Sequence, residues 1–318
     1  MRLTKEFKTF EQQIEILKSR VSVIEDEQKV IEILKQENYY NIINGYKDLF
    51  LDDNKNDKEC FKNGTTFDEI YSLFLFDREL RSIILKYILL FERDFKTIMS
   101  YNFSQKYNTE NRVDSYLYPQ NYRDDYVNVL NFISTVNNII TSKSEKTSSI
   151  KHYIQQYGHV PLWVVVNIMS FDNMSFMFKI LKDSDKNYIT LFYLNRYLKE
   201  YNIQNDKIRL KSSSFMSGLK ALNIARNICA HEERMYNVTF NRVPINDISK
   251  IIDYSILDES KLITVFMFLK ITLTLKHFLS LKEEVLEVFN KFKKRFKTIT
   301  FEEILKEMGI KVRHFAKL

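Results

Sequence analysis

The sequence predicts an all-helical protein, and three observations carry that prediction. Glycine and proline are scarce, five and three among 318 residues, whereas a sheet protein of this size turns often and draws on both at its turns. Apolar residues recur at helical spacing through most of the chain. The hydrophobic share, 45%, is enough for a sizeable core. The length fits one large domain, or a domain with an extension. The organisation expected is a helical domain over 1–250 followed by a C-terminal helical extension over 251–318.

Taken in order, residues 6–37 read as one or two amphipathic helices, with Phe7, Phe10, Ile14, Leu17 and Val21 at helical spacing. The aromatic-rich stretch NYYNIINGYKDLF (38–50) continues as helix to a polar loop over 52–60. Thr66 and Glu69 then fit a capping box, in which the hydroxyl accepts one free backbone N–H and the carboxylate another. They open a long helix expected to reach about Tyr107. Asp77 with Arg81, and Glu92 with Lys96, stand four apart on it and read as solvated helix-surface pairs. A loop around Tyr118 and Pro119 precedes a helix over 122–141, and TSKSEKTSS (141–149) reads as a linker or flexible loop. Further helices are expected over 162–182, 186–201, 206–236, 260–281 and 282–297. A last short one opens on the capping box of Thr300 and Glu303 and stops at Gly309. No internal repeat is visible.

Composition also excludes several classes. Two cysteines, Cys60 and Cys229, make neither a disulfide framework nor a four-ligand zinc site on their own. The chain opens directly on an amphipathic pattern, so a soluble protein of the reducing cytoplasm is expected. The most apolar stretch, Leu262–Leu281, is broken by Lys270, Lys276 and His277. A bilayer span needs about 20 apolar residues with few charges, so this stretch reads as a buried helix and no membrane partner is expected. There is no Gly-rich phosphate loop, nucleophile elbow or HExxH, which sets aside nucleotide hydrolysis and metalloprotease chemistry. His152, His159, His277 and His314 stand alone, without metal-ligand spacing, and Trp163 before three valines reads as core. The net charge of +7 is compatible with a polyanionic partner.

One segment concentrates residues that do chemistry: ALNIARNICAHEERMYN (221–237). On a helical wheel Asn223, Arg226, Asn227, His231 and Arg234 fall on one side and the apolar residues on the other, so a stripe that would ordinarily face a core is polar. Arg226 and His231 flank it, roughly 140° apart at about 100° per residue, with Asn227 between them. A guanidinium supplies a permanent charge and a planar fork of donors for phosphate oxygens, and an imidazole exchanges a proton near neutral pH. The same residues also fit a surface helix with ordinary hydrogen bonds.

RNICAHEERMYN (226–237) resembles the Arg-Asn-x-Cys-Ala-His signature, with a following Arg and Asn, of the AbiD/AbiF-like abortive infection family, part of the helical HEPN superfamily. NYYNIINGY (38–46), FKNGTTFDEIYSLFLFDRELR (61–81) and PLWVVVNIMSFDNMSFMF (161–178) agree with the family in the same order. The resemblance spans about 200 residues, from near 38 to 237, and the last 80 match nothing that we can name. It implies a HEPN-like helical bundle with added N- and C-terminal helices, and a bacterial antiphage or toxin-like protein that cleaves RNA with no metal or other cofactor. It further implies that Arg226 stabilises charge on the scissile phosphate, that His231 transfers a proton or binds the phosphate, and that Asn227 is the polar residue between them. Asn223, Arg234 and Asn237 are the accompanying candidates for substrate contact. Since the chain carries the motif once, a composite site implies a homodimer. Some relatives have a tyrosine two residues after the histidine that becomes nucleotidylated; here that position is Glu233. Glu232 and Glu233 also put negative charge beside the histidine.

Two further features stay open at this level. Phe76-Asp77-Arg78-Glu79-Leu80-Arg81 falls in a family block and is explained first as helix-surface pairing, with Arg78 or Arg81 facing RNA as the alternative. Lys291, Lys293, Lys294, Arg295 and Lys297 put five cations in seven residues, interleaved with Phe292 and Phe296. They read either as an RNA-backbone contact or as a solvated helix end over two buried rings. The functional alternative to a nuclease is a non-catalytic protein that holds a small regulatory RNA.

Overall fold

The computed structural model describes residues 6–20, 23–52, 59–110, 112–204, 207–240, 244–253, 258–311, 315–316 and 318. Among these there is no strand, only isolated bridges such as Val23 with Thr66 and Leu51 with Phe61. The all-helical prediction holds. Two helices cover the expected 6–37 stretch: α1 (Phe10–Ser19), opened by a capping box between Thr9 and Gln12, and α2 (Glu27–Glu37), capped by Asp26. Val21, expected on the first of these, lies outside the described residues. The aromatic stretch forms a π-turn (Tyr40–Asn44) and a 3-10 turn (Asp48–Phe50), and most of the polar loop that follows, 53–58, is outside the described residues.

The long helix α3 (Phe67–Tyr107) runs as the sequence predicts. The Thr66 Oγ1 accepts from the Glu69 N–H, and Glu69 accepts from the Thr66 N–H, both at 3.2 Å. Next come α4 (Tyr126–Lys143) and α5 (Ser148–Tyr157). The expected linker over 141–149 shrinks to four residues, because the hydroxyls of Ser142 and Ser144 fold back onto the carbonyls of Ile139 and Thr141 and continue the helical path. The helix expected over 162–182 is broken into α6 (Leu162–Val165) and α7 (Phe171–Ile180), since Ser170 and Asn173 form a fresh capping box. After them lie α8 (Asp183–Glu200), α9 (Ser212–Ala230) and α10 (Asn246–Ile252), the last unforeseen.

The apolar stretch becomes α11 (Ile263–Thr272), buried at every position including Lys270, whose ammonium lies 5.4 Å from the Tyr201 ring. None of the described helices is long and apolar enough to cross a membrane. The break that follows falls eight residues earlier than the sequence suggests. Leu273 is extended, the Thr274 hydroxyl caps α12 (Leu275–Phe292), and the Glu200 carboxylate accepts the Leu275 N–H. The closing α13 (Phe301–Glu307) starts at the predicted Thr300–Glu303 box and ends at Gly309, whose φ of +72° is the left-handed conformation that glycine adopts at little cost.

The chain forms two compact units, each assembled from separated segments. The first comprises Met1–Ile83, Ile228–Val238 and Lys282–Lys317; the second comprises Ile84–Asn227, Thr239–Leu281 and Leu318. Residues 251–281 thus belong to the second unit and most of the remaining C-terminal stretch to the first. The first has a core in which Phe76 meets the rings of Phe289, Phe292 and Phe301 at 5.5–6.1 Å. Glu69 extends this unit's network by accepting the N–H groups of Lys297 and Thr298. In the second unit Phe91, Phe95, Phe178, Tyr193, Phe215 and Phe268 form one aromatic cluster. Each such ring contributes on the order of 1.5–3 kcal/mol on burial.

Candidate functional site

The helix that carries the candidate residues owes its position to its apolar side. Phe215, Leu219, Leu222, Ala225 and Cys229 follow at three- and four-residue steps and are all buried. On the other side Asn223 and Arg226 are half-buried and Asn227 is exposed. The Asn223 Nδ2 donates to the Asp172 Oδ1 at 2.9 Å, tying α9 to the first turn of α7. The Arg226 guanidinium makes one hydrogen bond among the described residues, to the neighbouring Asn227 Oδ1 at 3.4 Å, which is long and therefore weak. Asn223, Arg226 and Asn227 belong to the second unit.

The expected helix over 206–236 is shorter at both ends. It stops at Ala230, and the stop is chemically defined: Glu232 takes a φ of +57°, and the Glu233 N–H returns to the Ile228 carbonyl at 3.0 Å. This is the six-to-one bond of a Schellman turn, with His231 at the C-cap. A glycine ordinarily holds the left-handed position; a glutamate there costs roughly 1–2 kcal/mol. His231 and both glutamates are exposed. Arg234 and Asn237, placed on the helix by the wheel, lie beyond it, so the polar stripe ends one turn earlier than the sequence suggests.

The segment after the turn is pinned from below. In the first unit Asp77 of α3 is completely buried and Arg81 is 4% exposed. These are not the solvated pair that the sequence suggests. The Asp77 carboxylate accepts the N–H of Tyr236 at 2.7 Å, that of Met235 at 3.1 Å, the Tyr46 hydroxyl at 2.7 Å and the Arg81 guanidinium at 2.6 Å. Burial pushes the Asp77 carboxyl above its ordinary range, while Arg81 and the other donors pull it back. For Arg81 burial works against the charge, and Asp77 and Tyr46 more than offset it, so its pKa is raised. Tyr46 is pushed up by burial and by the Asp77 charge, and its ring stacks on Tyr236 at 5.8 Å.

Arg234 is held in the same unit, donating to the Gly45 carbonyl at 2.6 Å and the Asp48 carboxylate at 3.0 Å; Asn237 is half-buried. Three of the four sequence blocks, 38–46, 61–81 and 226–237, therefore meet at one buried carboxylate. The fourth supplies Asp172, the partner of Asn223. Asp77 was legible in principle: it and Arg81 fall on the stripe of Leu73, Phe76, Leu80 and Ile84, where a charged pair has to be buried. Glu92 and Lys96, 2.8 Å apart with side chains only 11% and 15% exposed, are also not a solvated pair.

The other candidates lie apart from this segment in sequence. Lys291, Lys293, Lys294, Arg295 and Lys297 are all exposed, with Phe292 buried and Phe296 half-buried. Lys291 pairs with Glu79 at 2.6 Å, and the Arg295 guanidinium sits 4.9 Å from the Phe292 ring. Trp163, expected in the core, is 46% exposed. His314 lies outside the described residues. Among the described residues no group of three or more His, Cys, Asp or Glu side chains is arranged to hold a metal ion.

A family model described as Abi-like protein matches residues 32–237, more than half of the chain and all four blocks. No curated protein and no solved structure matches.

Proposed function

The chain belongs to the Abi-like protein family, whose name points to abortive-infection defence, and we propose that it acts there as an endoribonuclease of HEPN type. The observation that carries the proposal is the state of the motif. Arg226 has only a weak partner, Asn227 and His231 are exposed, and the backbone after His231 is held by two N–H groups, of Met235 and Tyr236, donating to Asp77. A guanidinium with only one long hydrogen bond is available to a ligand rather than committed to the fold.

In the proposed reaction the ribose 2′-oxygen attacks the adjacent phosphorus and forms a P–O2′ bond. The P–O5′ bond breaks, leaving a 2′,3′-cyclic phosphate and a 5′-hydroxyl. The 2′-hydroxyl proton passes to a base, and the departing 5′-oxygen receives one. Arg226 neutralises charge that builds on the non-bridging oxygens, the kind of positioned donor that lowers such barriers most. His231 performs one of the two proton transfers. The other falls to His231 of a second copy, which makes the homodimer the active species. Asn227 orients the phosphate or the imidazole.

Arg226→Ala and His231→Ala are expected to lower cleavage at least a hundredfold and to abolish growth arrest, with unchanged circular dichroism because neither side chain supports the core. Cleavage that survives in both variants removes this motif from consideration. RNA retained without any cleavage products would instead favour a protein that holds a small regulatory RNA.

A further inference from the structure

The second unit carries three hollows in a row along one exposed face of α3. The first, about 260 Å³, is lined by Arg93, Arg196, Thr274 and His277 among others. The second, about 300 Å³, lies between Arg93, Glu92, Lys96 and Trp163. The third, about 430 Å³, lies between Tyr101, Ser104, Asn108 and Trp163. Thr97 borders all three, Arg93 joins the first to the second, and Trp163 joins the second to the third. From Leu89 to Asn108 this face runs roughly 28 Å at about 1.5 Å per residue, the reach of a few nucleotides.

Three properties of this face agree on one kind of occupant. It exposes large flat rings, Trp163 at 46% and Tyr101 at 62%, and exposed aromatic faces in a basic channel are where unpaired bases stack. It offers cations: Arg93 is exposed, with no hydrogen-bond partner for its guanidinium among the described residues. Arg196 is held over Tyr193 at 4.9 Å and against Asp94 at 2.8 Å. Finally, the two carboxylates on this face are already neutralised, Glu92 by Lys96 and Asp94 by Arg196, both at 2.8 Å, so that Arg93 is left to meet a phosphate.

We propose that this face of α3, flanked by Trp163, is a groove for a short single-stranded RNA segment, with bases stacked on Trp163 and Tyr101 and the backbone held by Arg93. The proposal rests on RNA being the ligand of the motif on α9 and adds the surface that holds the strand.

Trp163 is the single tryptophan of the chain, so its fluorescence reports the groove directly. The full-length His231→Ala protein, titrated with a twelve-nucleotide single-stranded RNA, should lose tryptophan emission saturably, and heparin at equal charge should not reproduce the loss. Arg93→Ala should weaken the apparent affinity several-fold. With a labelled oligomer, Trp163→Ala should weaken binding by roughly five- to a hundredfold, the worth of one stacked base, with circular dichroism unchanged. No quenching by RNA, or equal quenching by heparin, overturns the groove. Cleavage by the wild-type protein without quenching would sink the groove and leave the chemistry on α9 standing. Quenching without cleavage would do the reverse.

Discussion

The segment that follows His231 depends on a carboxylate with no access to water. Asp77 takes four donors, two of them backbone N–H groups of the strand of chain that follows His231. Asp77→Ala leaves the Arg81 guanidinium buried and unpaired, and both amides without acceptors. Removing one partner of a buried pair costs about 3–5 kcal/mol, so a fall in unfolding free energy of that size is expected in urea titration. Asp48→Ala, which removes an exposed partner of Arg234, should cost less than about 1 kcal/mol. Equal costs for the two would mean that the buried network is not what holds the segment. At this scale the sequence gives residue types and spacing but not burial. Arg226, Asn227 and His231 are legible because their chemistry is unusual for a stripe. Asp77 and Arg81 look like an ordinary surface pair until the neighbouring Phe76, Leu80 and Ile84 are given the same weight.

Among the elements, α9 shows how a helix is placed by one small residue. Gly218 packs against the ring of Phe268 on α11, and a Cβ built there would lie 2.1 Å from the Phe268 Cδ2. Alanine favours a helix over glycine by about 1 kcal/mol, yet Gly218→Ala should destabilise the protein, because overpacking a filled core costs about 1–3 kcal/mol. The paired change Gly218→Ala with Phe268→Leu should recover part of the loss. A more stable single variant in chemical denaturation would contradict the close approach. Most helices were readable from apolar spacing, although α5 and α10 were not, and the starts at Thr66 and Thr300 were readable from their capping boxes. The ends were not. The stop of α9 at Ala230 depends on a glutamate in a left-handed turn, and the break before α12 depends on Thr274 together with Glu200, 75 residues away in sequence. No local pattern marks either.

The whole molecule has an unusually aromatic interior, and this has a consequence at alkaline pH. Burial pushes Tyr197 up to about 12; burial and the Asp185 hydrogen bond do the same for Tyr107. Both stand near 10.0 when exposed. A raised folded pKa means that the native state keeps the proton longer than the unfolded chain does. The stability this contributes is complete below about pH 10 and is lost as pH rises through about 12. Tyrosinate absorbance should therefore lag the ordinary curve and rise together with loss of structure. Smooth ionisation of every tyrosine near pH 10 in folded protein would contradict the packing. The helical class and the four blocks were legible from composition and motif; the division into two units was not, since the first unit draws on segments from both ends of the chain and a short piece of its middle.

We propose that Arg226 and His231 cut RNA by attack of its own 2′-oxygen. The most direct test is to incubate RNA with the purified protein in EDTA and determine the chemical ends of the fragments. Fragments from the wild-type chain should carry 2′,3′-cyclic phosphates and 5′-hydroxyls, and RNA should stay intact with either alanine variant. Fragments bearing 5′-phosphates, or cleavage that appears only when a divalent ion is restored, would contradict the proposal.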